Sequence, residues 1–160
     1  MSNSILYRMS AGIPGDVTRA SQSTIEPVQL NASNPFSVFG VPGKIVGGKL
    51  VPLADGDAAG VIYGFLVRAY PYTGSTFTAI MGPTNTVGDV LRRGYMTVKL
   101  NAGTASKAGQ VHVRITAATA DKPIGGIEAV ADSSNTVALT GATFMGAADA
   151  SGNVEIAYNI

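Results

Sequence analysis

Cysteine and tryptophan are absent from this chain of 160 residues, and histidine occurs only once. Without cysteine there is no disulfide framework, no thiolate nucleophile and no cysteine-ligated metal site. The single histidine, His112, lies between Val111 and Val113, and we interpret it as a solvated or interface side chain on a strand. No pair of histidines exists at metal-ligand spacing. We therefore predict no catalytic residue, no metal, no cofactor and no enzymatic activity.

Charge is also scarce. Only 13% of the residues are charged, and the 11 basic and 10 acidic side chains form no run of either sign. This argues against nucleic acid as a partner, because binding it calls for a clustered basic face. Apolar residues make up 46% of the chain. Either an unusually large fraction of these apolar residues is buried within the chain, or a partner covers apolar residues at its surface. We favour the partner, because a chain of 160 residues cannot bury so much apolar surface alone.

The chain has no hydrophobic run of transmembrane length. The densest, residues 61–70, is well short of the roughly 20 residues that a helix needs to cross a bilayer. The N-terminus lacks the charged-then-apolar pattern of a signal peptide, so we expect no membrane partner and synthesis in a cytoplasm. The β-branched and aromatic residues of 61–70, closed by Pro71, predict a strand buried on both faces at the centre of the domain.

Short strands separated by glycine, asparagine or aspartate turns account for most of the chain after residue 44. Lys44 to Val51, with Gly47-Gly48 at its middle, predicts a hairpin with a two-residue turn. Residues 87–93 fit either one helical turn ended by Gly94 or the edge of a strand. Further strands are predicted at residues 95–100, 110–116, 127–131, 136–139, 143–147 and 154–158. Alternation in 110–116 places Val111 and Val113 inward, and His112 and Arg114 outward.

These patterns predict an all-β fold, a single jelly-roll-like β-sandwich or barrel over residues 45–160. Residues 1–44 differ, because prolines at 14, 27, 35 and 42 exclude a long helix and a central strand. Their many apolar side chains gain little by staying in water. They form either a strand and ordered loops of the same domain or an extended N-terminal arm docked on another chain, and we favour the arm. Deleting residues 1–30 is then expected to leave a soluble β domain.

Three short sequence patterns resemble functional motifs, but none of them leads us to predict a catalytic site. Asp55 and Asp57 could share a cation, but alanines and a glycine follow them and a solvated turn is favoured. The stretch 59–64 resembles a motif of trimeric dUTPases, yet Tyr63 stands where that family has its catalytic aspartate. Arg92-Arg93 could contact an anion, although paired arginines are more often ion-pair partners or interface residues.

Several segments resemble the structural cement (capsid decoration) proteins of tailed bacteriophages. The resembling segments are residues 7–19, 24–27, 40–44, 62–68 followed by Tyr70-Pro71, and 92–95. The resemblance implies a structural virion protein on the outside of an icosahedral head, where it cements neighbouring major capsid proteins. The implied partners are the major capsid protein and further copies of this chain, as a homodimer or homotrimer.

On this hypothesis the partner interface lies in the N-terminal arm, at its apolar side chains and their charged neighbours. The predicted interface residues are Arg8, Ile13, Pro14, Val17, Arg19 and Ile25. The alternative is a carbohydrate- or receptor-binding β-sandwich module of a fibre or adhesin. That function expects a platform of exposed aromatic rings, whereas Tyr70 and Tyr72 are the only closely spaced pair of tyrosines.

Overall fold

A computed structural model describes residues 11–69 and 86–160, and the all-β prediction is confirmed. The described strands are β1 Thr24–Gln29, β2 Pro42–Val46, β3 Lys49–Pro52, β4 Gly64–Leu66, β5 Val87–Ala102, β6 Gln110–Arg114, β7 Ile127–Glu128, β8 Thr136–Phe144 and β9 Asn153–Tyr158. Three-residue 3-10 helices lie at Ala20–Gln22, Ala59–Val61 and Ser133–Asn135. None of the helices in these two ranges has the length and apolar character to cross a membrane.

The 16-residue strand β5 organises the fold. Its first half pairs with β1 and β4, and its second half pairs antiparallel with β9 and parallel with β7. The strand alternative for residues 87–93 is therefore right and the helical turn is wrong. Gly94 does not end the strand, because its φ of +135° lets the backbone continue beside Ser23, where a Cβ atom would clash.

The apolar run at residues 61–70 is not the central strand. Among its described residues, 61–69, only β4 is a strand, and the three residues of β4 are all buried. Val61 belongs to a 3-10 helix and is largely exposed. At Gly64 the chain passes so close to β5 that a Cβ atom would lie 2.5 Å from the carbonyl oxygen of Leu91. The strand β4 is therefore packed closely against β5 and is not itself the central strand.

The first half of β5 closes a small barrel, which we call the first ring. Its strands follow the order β1, β5, β4, β2 and β3, and a parallel bridge between Leu30 and Leu50 joins β3 back to the end of β1. Its core is formed by Leu30, Phe36, Phe39, Leu50, Leu66 and Val90. The predicted hairpin of β2 and β3 is confirmed, with φ angles of +57° and +77° at Gly47 and Gly48.

The second half of β5 closes a second ring. Its strands follow the order β5, β9, β8, β6 and β7, and β7 pairs with β5 again. The predicted inward side chains Val111 and Val113 are fully buried in its core. The strands predicted at 136–139 and 143–147 form the single strand β8, which pairs first with β6 and then with β9.

Residues 11–44 are part of the folded domain. β1 pairs with β5 along its whole length, and Leu30, Phe36 and Phe39 fill the first ring. Of the two alternatives for this stretch, a strand and ordered loops of the same domain describes the residues that the structure covers. The physical reason is that burial of Leu30, Phe36 and Phe39 inside the first ring removes their apolar surface from water. The sequence predicts a boundary between an arm and a domain after residue 44. In the structure β2 runs through this position, and residues from both sides of it share the core of the first ring.

Candidate interaction surfaces

The described residues hold no group of three histidine, aspartate or glutamate side chains that could bind a metal ion. Asp57 accepts hydrogen bonds from Lys44 Nζ and from the amide of Ala54, both at 2.7 Å. Burial disfavours its ionised form, but these bonds and the charge of Lys44 outweigh that effect, so the pKa of Asp57 lies below its ordinary value. The Asp57 carboxylate therefore ties its own loop to β2.

The predicted interface residues divide between three environments. Ile13 and Pro14 are half-buried and line one groove. Val17 forms a bridge to Met96 and packs against the second ring. Arg19 and Ile25 are exposed, with Ile25 on β1. Arg8 lies outside the described residues.

The groove that contains Ile13 and Pro14 has a volume of about 450 Å³. It is lined by Ile13, Pro14, Val38, Phe39, Gly40, Val41, Lys99, Asn101, Pro123, Ile127 and Asn153. These residues come from the N-terminal segment, from the loop before β2, from β5, from β7 and the loop before it, and from the start of β9. Most of its lining is apolar, so it can bind apolar side chains.

The N-terminal wall of this groove is built into the fold through main-chain hydrogen bonds. The amide of Gly15 donates to the carbonyl of Thr97 at 2.8 Å, and the amide of Thr97 donates to the carbonyl of Asp16 at 2.9 Å. On the other side, the amide of Arg68 donates to Gly15 at 2.9 Å, and the Arg68 guanidinium pairs with Asp16 at 2.6 Å. The segment is therefore held between β5 and the residues that follow β4.

Gly40 permits the close approach of this segment. Its φ is +73°, and a Cβ atom would lie 2.6 Å from the amide nitrogen of Gly15. The contact between these two glycines, which are 25 residues apart in the sequence, depends on the tertiary fold.

We expect Gly40→Ala to lower the free energy of unfolding by about 2–5 kcal/mol, since it adds strain at positive φ to a steric clash. Urea denaturation measures the loss. The matched control is Gly47→Ala, at φ +57° with no atom within 4 Å of the new Cβ, which should cost only about 1–2 kcal/mol. Equal losses for the two variants would show that the close approach does not matter.

Arg19 is already engaged within the chain. Its Nε and Nη2 atoms donate to the two carboxylate oxygens of Glu155 at 3.1 and 3.0 Å, and its guanidinium lies 4.0 Å from the ring centre of Tyr95. The hydroxyl of Thr18 donates to the same carboxylate at 2.5 Å. The hydrogen bond with Glu155 raises the pKa of Arg19, although burial opposes it. This cluster fastens the N-terminal segment to β9.

A similar cluster lies on the first ring. The guanidinium of Arg92 lies 3.6 Å from the ring centre of Tyr63, and the Tyr63 hydroxyl donates to Glu26 at 2.8 Å. Arg92 Nε lies 3.5 Å from the same carboxylate. The hydrogen bond with Glu26, together with burial, raises the pKa of Tyr63. Arg92 is thus an ion-pair partner within the chain, as the sequence favoured.

The outer face of β1 exposes apolar side chains, with Gln29 of β1 and Asp89 of β5 as exposed polar neighbours. Ile25 is 42% exposed there, Pro27 is also exposed, and Val87 at the start of β5 is 71% exposed opposite Gln29. In the part of the chain that the structure describes, β1 pairs with a strand only on its β5 side, apart from the bridge at Leu30. The face formed by Ile25, Pro27 and Val87, which we call the β1 face, is therefore an exposed apolar patch next to a strand edge.

Arg114 lies on the predicted outer face of β6, on the side of His112 and Glu128, but it is not exposed there. Its side chain is buried, and Nε donates to Glu128 at 2.5 Å while Nη2 donates to Asp132 at 2.5 Å. Nη1 donates to the carbonyls of Thr116 and Ala117 at 3.3 and 3.4 Å. The ion pairs raise the pKa of Arg114 and lower that of Asp132, chiefly through the hydrogen bonds. The alternating pattern missed this cluster because Glu128 comes from another strand.

Comparisons with known proteins match the chain to a protein family and to a solved structure. A family model described as XM1 gp53 minor capsid protein matches residues 1–158. A chain of the solved capsid of Myoviridae phage XM1 is 19% identical to this chain, with a TM-score of 0.72 and coverage of 99% of this chain and 97% of that one. At that identity the likeness concerns the fold alone. No curated protein sequence matches the chain.

Proposed function

The chain belongs to the XM1 gp53 minor capsid protein family, and from this we propose that it is a structural virion protein. It binds the outside of an icosahedral phage head and cements neighbouring major capsid proteins. It self-associates as a homodimer or homotrimer, is made in the cytoplasm of the bacterial host and catalyses no reaction.

The observation that carries this proposal is the β1 face. Ile25 and Val87 expose large aliphatic side chains on a strand pair, where water contact is unfavourable. Covering such area contributes about 25 cal/mol per Å², and many copies on one lattice add avidity to a modest single contact. An edge strand with an apolar face is suited to bridging two neighbouring subunits.

The aromatic side chains of the described residues favour this function over carbohydrate binding. A sugar platform needs an open ring face, but Arg92 covers Tyr63 and Arg19 covers Tyr95. Tyr158 is buried against Phe65, with ring centres 5.1 Å apart. Tyr70 and Tyr72, the pair considered for such a platform from the sequence, lie outside the described residues.

Head binding can be tested with Ile25→Asp combined with Val87→Asp. We expect at least tenfold weaker binding, which corresponds to about 1.4 kcal/mol, because the charges must be desolvated against the capsid. Co-sedimentation with heads that lack this protein, followed by electron microscopy of occupancy, measures the loss.

The matched control is Val130→Asp on the second ring, where the valine is 52% exposed. Binding of this variant should stay within twofold of the unmodified protein, and circular dichroism should be the same for all three. Full occupancy by the double variant at unchanged affinity would contradict the proposed role of the β1 face.

A further inference from the structure

The groove beside Ile13 and Pro14 calls for an apolar occupant. The polar side chains on its rim already have partners in the chain. Asn101 donates to the carbonyl of Asp121 at 3.0 Å, and Asn153 donates to the carbonyl of Gly12 at 3.0 Å. An occupant therefore gains affinity by covering apolar surface, including Val38, which is 37% exposed.

The chain leaves this groove at its N-terminal end. Ile13 lines the groove, and the carbonyl of Gly12 is bound at its rim by Asn153. At Ala11 the amide donates to Asp149 Oδ2 at 3.2 Å, and the carbonyl accepts a hydrogen bond from the Thr97 hydroxyl. Going backward from Pro14, the main chain thus runs out of the groove toward the turn at residues 149–153, and its direction is fixed there.

The ten residues before Ala11 have the composition that the groove requires. They contain the large apolar residues Ile5, Leu6, Tyr7 and Met9 and a single charged side chain, Arg8. Ten residues span about 33 Å when fully extended, roughly twice the radius of gyration of about 15 Å expected for a domain of this size. A segment of this length can reach an adjacent molecule.

We propose that residues 1–10 of a second copy of this chain occupy the groove. The hydrogen bonds of Ala11 and Gly12 direct the described chain away from its own groove, and the proposed self-association brings the groove of another copy within the length of the segment. Copies related by rotational symmetry give and receive the segment reciprocally. This inference rests on the proposed self-association and is independent of the β1 face.

The test compares the full chain with a deletion of residues 1–10 and with Val38→Asp, using light scattering coupled to size-exclusion chromatography. The full chain is expected to be oligomeric, and both variants monomeric at the same concentration. Val46→Asp, at an exposed valine of the β2–β3 hairpin, is the matched control and should remain oligomeric. A labelled peptide of residues 1–10 should bind the deletion variant, and at least tenfold more weakly when Val38→Asp is added.

Three results would overturn the inference. A monomeric full chain would exclude exchange between copies, even if the peptide binds the deletion variant. An oligomer that survives the deletion would place self-association elsewhere. If the peptide does not bind, or if Val38→Asp does not weaken its binding, the groove is excluded as the binding site of residues 1–10. Head binding is measured separately through Ile25 and Val87, so these results leave the proposed capsid role standing, and a failure of head binding leaves the groove assignment standing.

Discussion

Deleting residues 1–30 is expected to abolish the fold rather than release a soluble β domain. The deletion removes β1 and Leu30, which closes the first ring through its bridge to Leu50. Truncating one such buried leucine to alanine costs about 2–5 kcal/mol, and a domain has only about 5–15 kcal/mol of stability. A purified deletion variant should lack near-ultraviolet circular dichroism and a cooperative thermal transition.

The control for this truncation is deletion of residues 1–10, which leaves β1 and the bridge between Leu30 and Leu50 in place. Its melting transition should remain cooperative. The opposite result would be a variant lacking residues 1–30 that melts cooperatively at a temperature near that of the full chain. In that case β1 is not needed for folding, and the result would support the N-terminal arm predicted from the sequence.

Arg114→Met is expected to destabilise the protein by about 3–5 kcal/mol, because it leaves Glu128 buried without its partner. The Glu128 side chain is fully buried, and its Oε2 atom has no hydrogen-bond partner in the described residues. Arg114 therefore supplies the compensating charge. Urea denaturation at neutral pH measures the change.

Two further variants distinguish the destabilisation caused by an unpaired buried charge from that caused by the lost packing of the arginine side chain. Arg114→Met combined with Glu128→Met removes both charges and should recover most of the lost stability. Arg19→Met breaks an ion pair whose arginine is 41% exposed, and it should cost no more than about 1 kcal/mol. A double variant as unstable as Arg114→Met would mean that packing around the arginine, not its charge, is what matters.

Local chemistry explains which parts of the fold the sequence predicts. The hairpin at Gly47-Gly48 was predictable because its turn requires positive φ at adjacent residues. The strand β5 was harder to recognise, because Arg92 and Arg93 interrupt its apolar pattern and Gly94 is typical of a helix end. Its length comes from pairing with four other strands, and sequence periodicity does not contain that information.

The candidate surfaces were predictable only in part. The sequence selected Ile13, Pro14 and Ile25, and the structure places two of them in the groove and one on the β1 face. It did not find Val38 or Pro123, because these lie far from Ile13 along the chain and meet it only through the two rings. Arg19 was predicted as a partner contact, but its pairing with Glu155 depends on the position of β9.

The shared strand β5 makes the two rings mechanically inseparable. A force that pulls on the β1 face acts on the first half of β5, and the continuous backbone transmits it into the β7 and β9 ladders. A load on one half of β5 therefore reaches the strand ladders of both rings, because the same backbone belongs to each. For the role proposed above, this continuity links a surface that contacts a partner to both hydrophobic cores without any covalent cross-link.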